Sequence, residues 1–455
     1  VGLVVSVVVV AFSRPRMASR RRQGGRGGSS RSFGNNYNYN NANNNRQQQN
    51  GGGQQQTTHN REPVDTRLCK FFLLGGLEKC ASGTSCQYSH ALQRVADLDS
   101  GGRDASGRPG AVKAVAAWNA NEGVKIFTGS KDGQVRMWNA LTWKLENAEQ
   151  LAGDVHCLDV HDQFLAVGYE GRARGFPGVN VGLARVFNLA RGRVYDLVMP
   201  GTASEMGQPH TEGAVGFAHA QRAYACAIRA SASLEVFTGG HEGEIHCWTL
   251  SHPDAPDFAL TCRLDASTGG HVAGVSCLAF FGPHFLVSGG VDKTFRVWRL
   301  SGGSIDSAQP SVEAARSAAD NGHTDVVTCV TPLQIGEDHF FVTGSLDATF
   351  RAWDISANLA FDHSTAAPVT ALAACADPAG LPLLLVGLQD GSLELRQPQL
   401  GFKLRATLNP NITQGHRGEV RAITVGDRYF CSAGADGHCM IWQFVSPLPP
   451  ANPGI

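Results

Sequence analysis

An all-β fold, seven four-stranded sheets arranged as a closed propeller, is predicted by three features of the sequence. A hairpin-like pattern recurs, its polar landmarks keep fixed spacing, and the copies follow at a near-constant period. The best copy is Phe341 to Ile355, FVTGSLDATFRAWDI. Apolar alternation through Phe341, Val342 and Thr343 reaches Gly344-Ser345, a tight turn follows at Leu346-Asp347-Ala348, and alternation resumes from Thr349 to Trp353. Alternation on both sides of a short polar turn predicts a β-hairpin with one buried face. Landmarks four and then six residues apart recur as Thr128, Asp132, Trp138; Thr238, Glu242, Trp248; Ser288, Asp292, Trp298; Thr343, Asp347, Trp353; and Ser432, Asp436, Trp442. Two worn copies, Val167 to Phe187 and Val386, Asp390, Arg396, complete seven.

The residues at the tryptophan position are 138, 187, 248, 298, 353, 396 and 442. Their steps lie at or above the ~40–45 residues of a propeller blade, the excess being loop insertions. A four-stranded unit ending in Trp-Asp is the signature of a WD-repeat β-propeller. Three copies carry Gly-His ahead of the hairpin: Gly270-His271, Gly322-His323 and Gly415-His416. The region resembles the WD-repeat proteins, and the resemblance implies that each histidine bridges the turn Asp to the strand Ser or Thr, which in turn meets the Trp indole. It implies complete networks at His271-Asp292-Ser288-Trp298, His323-Asp347-Thr343-Trp353 and His416-Asp436-Ser432-Trp442. Such networks satisfy buried polar groups, so these His/Asp/Ser sets are read as structural rather than as catalytic triads.

Net charge is zero overall. Residues 1–60 nevertheless hold eight Arg and no Lys, Asp or Glu, which leaves −8 on the remainder. A basic arm ahead of an acidic body puts affinity for polyanions at the N-terminal end. Of twelve Cys, three belong to the metal pattern below. The other nine lie mostly in apolar strand-like runs; an odd set without paired spacing predicts reduced, buried thiols in nucleus or cytoplasm, not a secreted framework. The opening VGLVVSVVVVAF is too short to span a bilayer and lacks a preceding basic region. Met17 reads as the natural start, with 1–16 upstream of it. From Ser19 to Asn60 an Arg/Gly segment and an Asn/Gln-rich segment cannot bury enough apolar area to fold, so 1–60 is expected to be a disordered arm. Arg with Gly and interspersed Tyr suits loose, salt-sensitive RNA contact.

The most specific chemistry is Cys69, Cys80, Cys86 and His90, spaced C-x10-C-x5-C-x3-H. Three thiolates and an imidazole are the ligands of a closed tetrahedral zinc site, one structural ion with no open position for hydrolysis. A segment this short has no core of its own, so metal binding supplies most of its folding free energy, on the order of 10 kcal/mol. The spacing, with Lys70-Phe71-Phe72 after the first Cys and Tyr88 before the His, resembles the CCCH zinc fingers, though the first gap of ten is longer than usual. The resemblance implies single-stranded RNA held by base stacking on Phe71 or Phe72 and on Tyr88, with Arg67 and Lys70 at phosphates.

The expected domains are the arm 1–60, the finger 64–91, the propeller 92–445 and a Pro-rich tail 446–455. The last hairpin stops at Phe444, and VSPLPPANPGI cannot supply another strand because Pro lacks the ladder donor. Gln93–Leu98 is the apolar candidate for the missing outer strand of blade seven, which would seat the finger against the closing blade. The first repeat lacks Gly-His. The stretch 171–182 swells the second hairpin turn, 199–219 is an excursion before the third repeat, and 301–321 reads as a linker between blades four and five. With Arg396 for Trp and Val386 for Ser, blade six is expected to be held by strand pairing and apolar packing, without the polar network.

Arm, finger and seven repeats in this order resemble the plant-type CCCH zinc-finger proteins with WD repeats. The expected function is a non-enzymatic adaptor, finger and arm on single-stranded RNA and propeller on protein, without membrane or small-molecule substrate. The alternative is a protein-only scaffold or a ubiquitin-ligase substrate receptor. Trp353-Asp354 is followed by Ile355-Ser356, without the Arg such receptors carry, which counts against the latter. No phosphate-binding loop or nucleophile motif stands outside the repeats.

Overall fold

The computed structural model describes residues 68–448 apart from 103–109, 121, 173–179, 201–216, 232, 253, 301–309 and 412–414. The arm 1–60 and Arg67 lie outside the described residues. Between 92 and 444 the described residues form seven four-stranded antiparallel sheets. Six follow chain order; the seventh runs Leu92–Asp99, His438–Phe444, Tyr429–Gly434, Val420–Val425 from its outer to its inner edge. The inner strands are Val112–Ala120, Val155–His161, Ala223–Ala230, Val275–Phe281, Val327–Ile335, Val369–Ala376 and Val420–Val425. Each lies against the next, and the last against the first, so the ring closes.

Position in the sheet explains the hydrophobic pattern. Inner strands are covered on both faces and read as near-continuous apolar runs, as in Val275–Phe281, VSCLAFF. Outer strands are wet: Leu145–Gln150 is exposed throughout and Ser311–Arg316 alternates exposed with half-buried. The expected linker 301–321 therefore contains the outer strand of blade four, hidden in SVEAAR because an exposed edge needs little apolar side chain. The swollen turn of blade two is likewise partly strand, with Arg172 opposite Asn180 in an extended hairpin. Between blades, aromatic rings interlock. Phe295 of blade four lies 4.7 Å from Trp353 and 5.5 Å from Phe341 of blade five, centroid to centroid, packing that adds to burial itself.

The hairpin turns share one backbone device. The residue after the turn acid has positive φ in six blades: Gly133, Gly243, Lys293, Ala348, Gly391 and Gly437. At Gly391 a Cβ would also meet the His416 carbonyl at 2.3 Å, so close approach and φ both demand glycine there.

Leu92–Asp99 pairs with His438–Phe444, Leu92 opposite Phe444 and Asp99 opposite His438. The strand thus joins the start of the propeller to its end, and it directly follows His90.

Candidate metal centre and the blade networks

The finger is built by local chain geometry. A helix, Lys70–Lys79, fills the ten-residue gap between Cys69 and Cys80. It kinks at Gly75 and Gly76, where Gly76 takes φ +64° beneath the Gln93 side chain. Cys69 caps this helix, its sulfur accepting from the Phe72 amide at 3.5 Å. A one-turn helix, Gly83–Ser85, brings Cys86 back toward Cys80. Leu68 bridges to Ser89, and the Cys69 amide donates to the Ser89 carbonyl at 2.9 Å, which sets His90 beside the first ligand.

The four ligand atoms of Cys69, Cys80, Cys86 and His90 lie within 4.8 Å of one another. Cys69 and Cys80 sulfurs are 3.7 Å apart; Zn–S bonds of ~2.3 Å at the tetrahedral angle require about 3.8 Å. His90 Nε2 is buried and has no hydrogen-bond partner among the described residues, a costly state unless a cation takes its lone pair. Burial would raise the Cys80 thiol, but the Ser82 and Gly83 amides with the Cys86 and Cys69 sulfurs hold it below the usual thiol range, which favours the thiolate. Donor types and spacing fit zinc.

One side of the finger is committed to the propeller. Leu73 is fully buried in the same apolar cluster as Leu92, Phe430, Trp442, Phe444 and Leu448. The Val445 amide donates to the Ala91 carbonyl at 2.9 Å, tying the last blade to the finger's exit. Phe72 is 4% exposed and stacks on the His90 ring at 4.2 Å. This corrects the expectation that Phe72 could receive a base: its ring covers the ligand histidine. Phe71 and Tyr88 face outward, 55% and 45% exposed, and the Lys70 ammonium sits 5.0 Å from the Phe71 ring.

The three blade networks assemble from the named residues. In blade five, His323 Nε2 is 2.8 Å from Thr343 Oγ1, which accepts from the Trp353 indole at 2.8 Å, while His323 Nδ1 faces Asp347 at 3.1 Å. Blade four repeats this with His271, Ser288, Trp298 and Asp292 at 2.8, 2.9 and 3.0 Å. In blade seven the corresponding distances for His416, Ser432, Trp442 and Asp436 are 2.8, 3.0 and 3.0 Å. Burial would raise the Asp347 carboxyl, but His323, Thr349 and the Thr324 amide hold it well below the usual carboxylate range. With each hydroxyl fully buried and given to histidine and indole, none is poised as a nucleophile.

A fourth network escaped the sequence reading. His219 meets Thr238 Oγ1 at 2.8 Å and Glu242 at 2.5 Å, and Trp248 donates to Thr238 at 2.9 Å. Its signal was a histidine 19 residues before the landmark Thr, masked because Ala218 stands where the other copies have Gly. In blade one, Trp138 still donates to Thr128 at 3.0 Å, but Arg136 replaces histidine, contacting Asp132 at 2.5 Å and the Ser130 hydroxyl at 2.8 Å. Blade six shows no histidine–hydroxyl–indole network among the described residues, and Val386 and Arg396 stand at the hydroxyl and indole positions. Arg396 pairs with Glu394 at 2.7 Å, donates to the Phe402 carbonyl at 3.2 Å and lies over the Phe350 ring. A guanidinium cannot be left bare in a blade, so polar partners came with it.

Comparison with known proteins agrees with this geometry. The WD domain, G-beta repeat family matches residues 105–139, 262–299, 317–354 and 407–443. Zinc finger CCCH domain-containing protein 17 of Oryza sativa subsp. japonica is 25% identical over 85% of this chain and 74% of its own length. Zinc finger CCCH domain-containing protein 59 of Arabidopsis thaliana is 25% identical over 51% of the chain and 40% of its own. The Ribosome biogenesis protein WDR12 homolog of Culex quinquefasciatus is 27% identical over 40% of the chain and 44% of its own. The match thus spans under half the length of the last two. Four stretches matching the WD domain, G-beta repeat family thus lie in a seven-sheet ring with three Cys and a His gathered ahead of it, and the chain is similar to two proteins named for a CCCH zinc-finger domain.

Proposed function

We propose that the chain is a non-enzymatic RNA-binding adaptor: the finger, with the basic arm, holds single-stranded RNA, and the propeller recruits protein. The observation that carries this is the division of the finger's two faces. Leu73 is buried against the closing blade, while Phe71, Tyr88 and Lys70 remain outside on a segment clamped by metal. Two exposed rings beside an ammonium suit base stacking with a phosphate contact, each stacked base contributing about 1–3 kcal/mol. One structural zinc, held by all four ligands, keeps the rings in place without chemistry of its own. Similarity to proteins named for ribosome biogenesis supports work inside a larger assembly. A protein-only scaffold is the second reading, favoured by Leu77, 59% exposed on the same helix as Phe71.

Crosslinking of the full chain to a uridine-rich oligonucleotide tests the choice. Phe71→Ala with Tyr88→Ala weakens RNA binding by about tenfold or more with zinc retained, and added salt weakens it further. Unchanged crosslinking in that variant rejects the finger as an RNA site and leaves the scaffold.

A further inference from the structure

The finger's apolar side chains are divided between two cores. Cys69, Phe72 and Cys80 form a small buried cluster of the finger's own, too little to fold so short a segment without metal. Leu73, the next residue of the same helix and fully buried, belongs instead to the propeller's cluster with Leu92, Phe430, Phe444 and Leu448. The helix Lys70–Lys79 lies against the seam strand Leu92–Asp99 and is shaped to it. It kinks at Gly75 and Gly76, and a Cβ on Gly76 would stand 3.1 Å from Gln93 Nε2.

No slack separates the last metal ligand from the seam. Ala91, 1% exposed, is the single residue between His90 and Leu92, and its carbonyl accepts from the Val445 amide at 2.9 Å. A held His90 therefore presents Leu92 to Phe444 in the register that the ladder needs. The ladder is then interrupted by a bulge between Arg94 and Ala96. Beyond the bulge the strand has anchors of its own. The Ser100 and Gly101 amides donate to the Gly437 carbonyl at 3.1 and 2.8 Å, and Asp97 faces His438 at 2.9 Å. The half of the seam before the bulge is thus the half fastened by the finger.

We propose that metal binding by the finger and closure of this half of the seam are one coupled equilibrium. Seating Leu73 on the closing blade raises the affinity of Cys69, Cys80, Cys86 and His90 for zinc, and the metal-held finger keeps residues 92–94 paired with 442–444. Coupling of this kind is reciprocal. Without metal the finger has no fold with which to present Leu73; without the seat for Leu73, a buried apolar contact made only by the metal-held finger is lost from the binding free energy. Ring closure thereby becomes sensitive to zinc, whatever the finger's outer face binds.

The test uses the full chain in two measurements. In the first, amide exchange is compared in the zinc-loaded chain and after removal of zinc by a chelator. Exchange of the Val445 amide and of residues 92–94 is expected to speed up by about tenfold or more, to fall back when zinc is restored, and to leave residues 341–353 of blade five unchanged. In the second, competition with a chromophoric chelator gives the zinc affinity. Leu73→Ala weakens it by about 30-fold or more, the change that loss of a buried leucine side chain implies, while zinc at saturation remains stoichiometric. Leu77→Ala, 59% exposed on the same helix, leaves the affinity unchanged. Val445 exchange indifferent to zinc, or wild-type zinc affinity in Leu73→Ala, overturns the proposal. Faster exchange of residues 341–353 on zinc removal overturns it too, because the change is then global and not confined to the seam.

Discussion

Replacing Thr343 by valine keeps shape and removes one oxygen. That oxygen joins two fully buried groups, His323 Nε2 and the Trp353 indole, each at 2.8 Å. Asp347 can only accept a hydrogen bond, so His323 carries its proton on Nδ1 and Nε2 accepts from the threonine hydroxyl. Valine therefore strands one buried acceptor and one buried donor, at about 1–3 kcal/mol each, or roughly 2–6 kcal/mol together. Thr128→Val in blade one is the internal control. No histidine reaches that hydroxyl, and only Trp138 loses its partner, so the loss is about 1–3 kcal/mol. Denaturant unfolding followed by hydrogen exchange on Phe341–Trp353 and Ile126–Trp138 resolves the two blades even where the chain does not unfold in one step. A Thr343→Val cost below about 0.5 kcal/mol, or one no larger than that of Thr128→Val, refutes the view that these histidines stabilise by polar satisfaction.

His219→Phe destabilises blade three by roughly 2–4 kcal/mol, because Thr238 and Glu242 lose a buried partner; local exchange across Leu234–Leu250 measures it. Leu73→Ala costs about 2–5 kcal/mol through the cavity it leaves between finger and closing blade, read as lower protection of Leu92–Asp99 with zinc content unchanged. Cys86→Ser or chelation of zinc unfolds the finger, so RNA crosslinking falls while the propeller's circular dichroism persists. Burial lowers His156 to about 4, and burial with neighbouring His219 lowers His246 to about 4. Unfolded imidazoles titrate near ~6.5, so the folded state keeps full stability above that and loses roughly 3 kcal/mol per residue as pH falls to about 4. His438 has the opposite sign: Asp97 raises it, so its contribution is present below the unfolded value and fades as pH rises through the folded one. Half-exposed, that pair contributes little. Urea midpoints across this range check both signs.

The landmarks were legible because they are local. Hydroxyl and tryptophan stand ten residues apart in five blades, a separation fixed by a tight turn between two strands. The seam strand was legible because proline forbids a strand after Phe444. What depends on packing between distant segments was not. Phe71 and Phe72 are neighbours of equal composition, and only the fold decides which covers His90. Ser311–Arg316 was missed for the converse reason: an exposed edge strand carries almost no apolar signal.

The central claim is that a metal-held finger is joined to the seam of a closed seven-bladed ring by the strand that follows His90. Amide exchange of Leu92–Asp99 in the full chain tests this most directly. The account predicts protection of the amides that pair with His438–Phe444, comparable to that strand's own, because the two share one ladder. Exchange of these amides at the rate of an unstructured peptide while His438–Phe444 stays protected would contradict it.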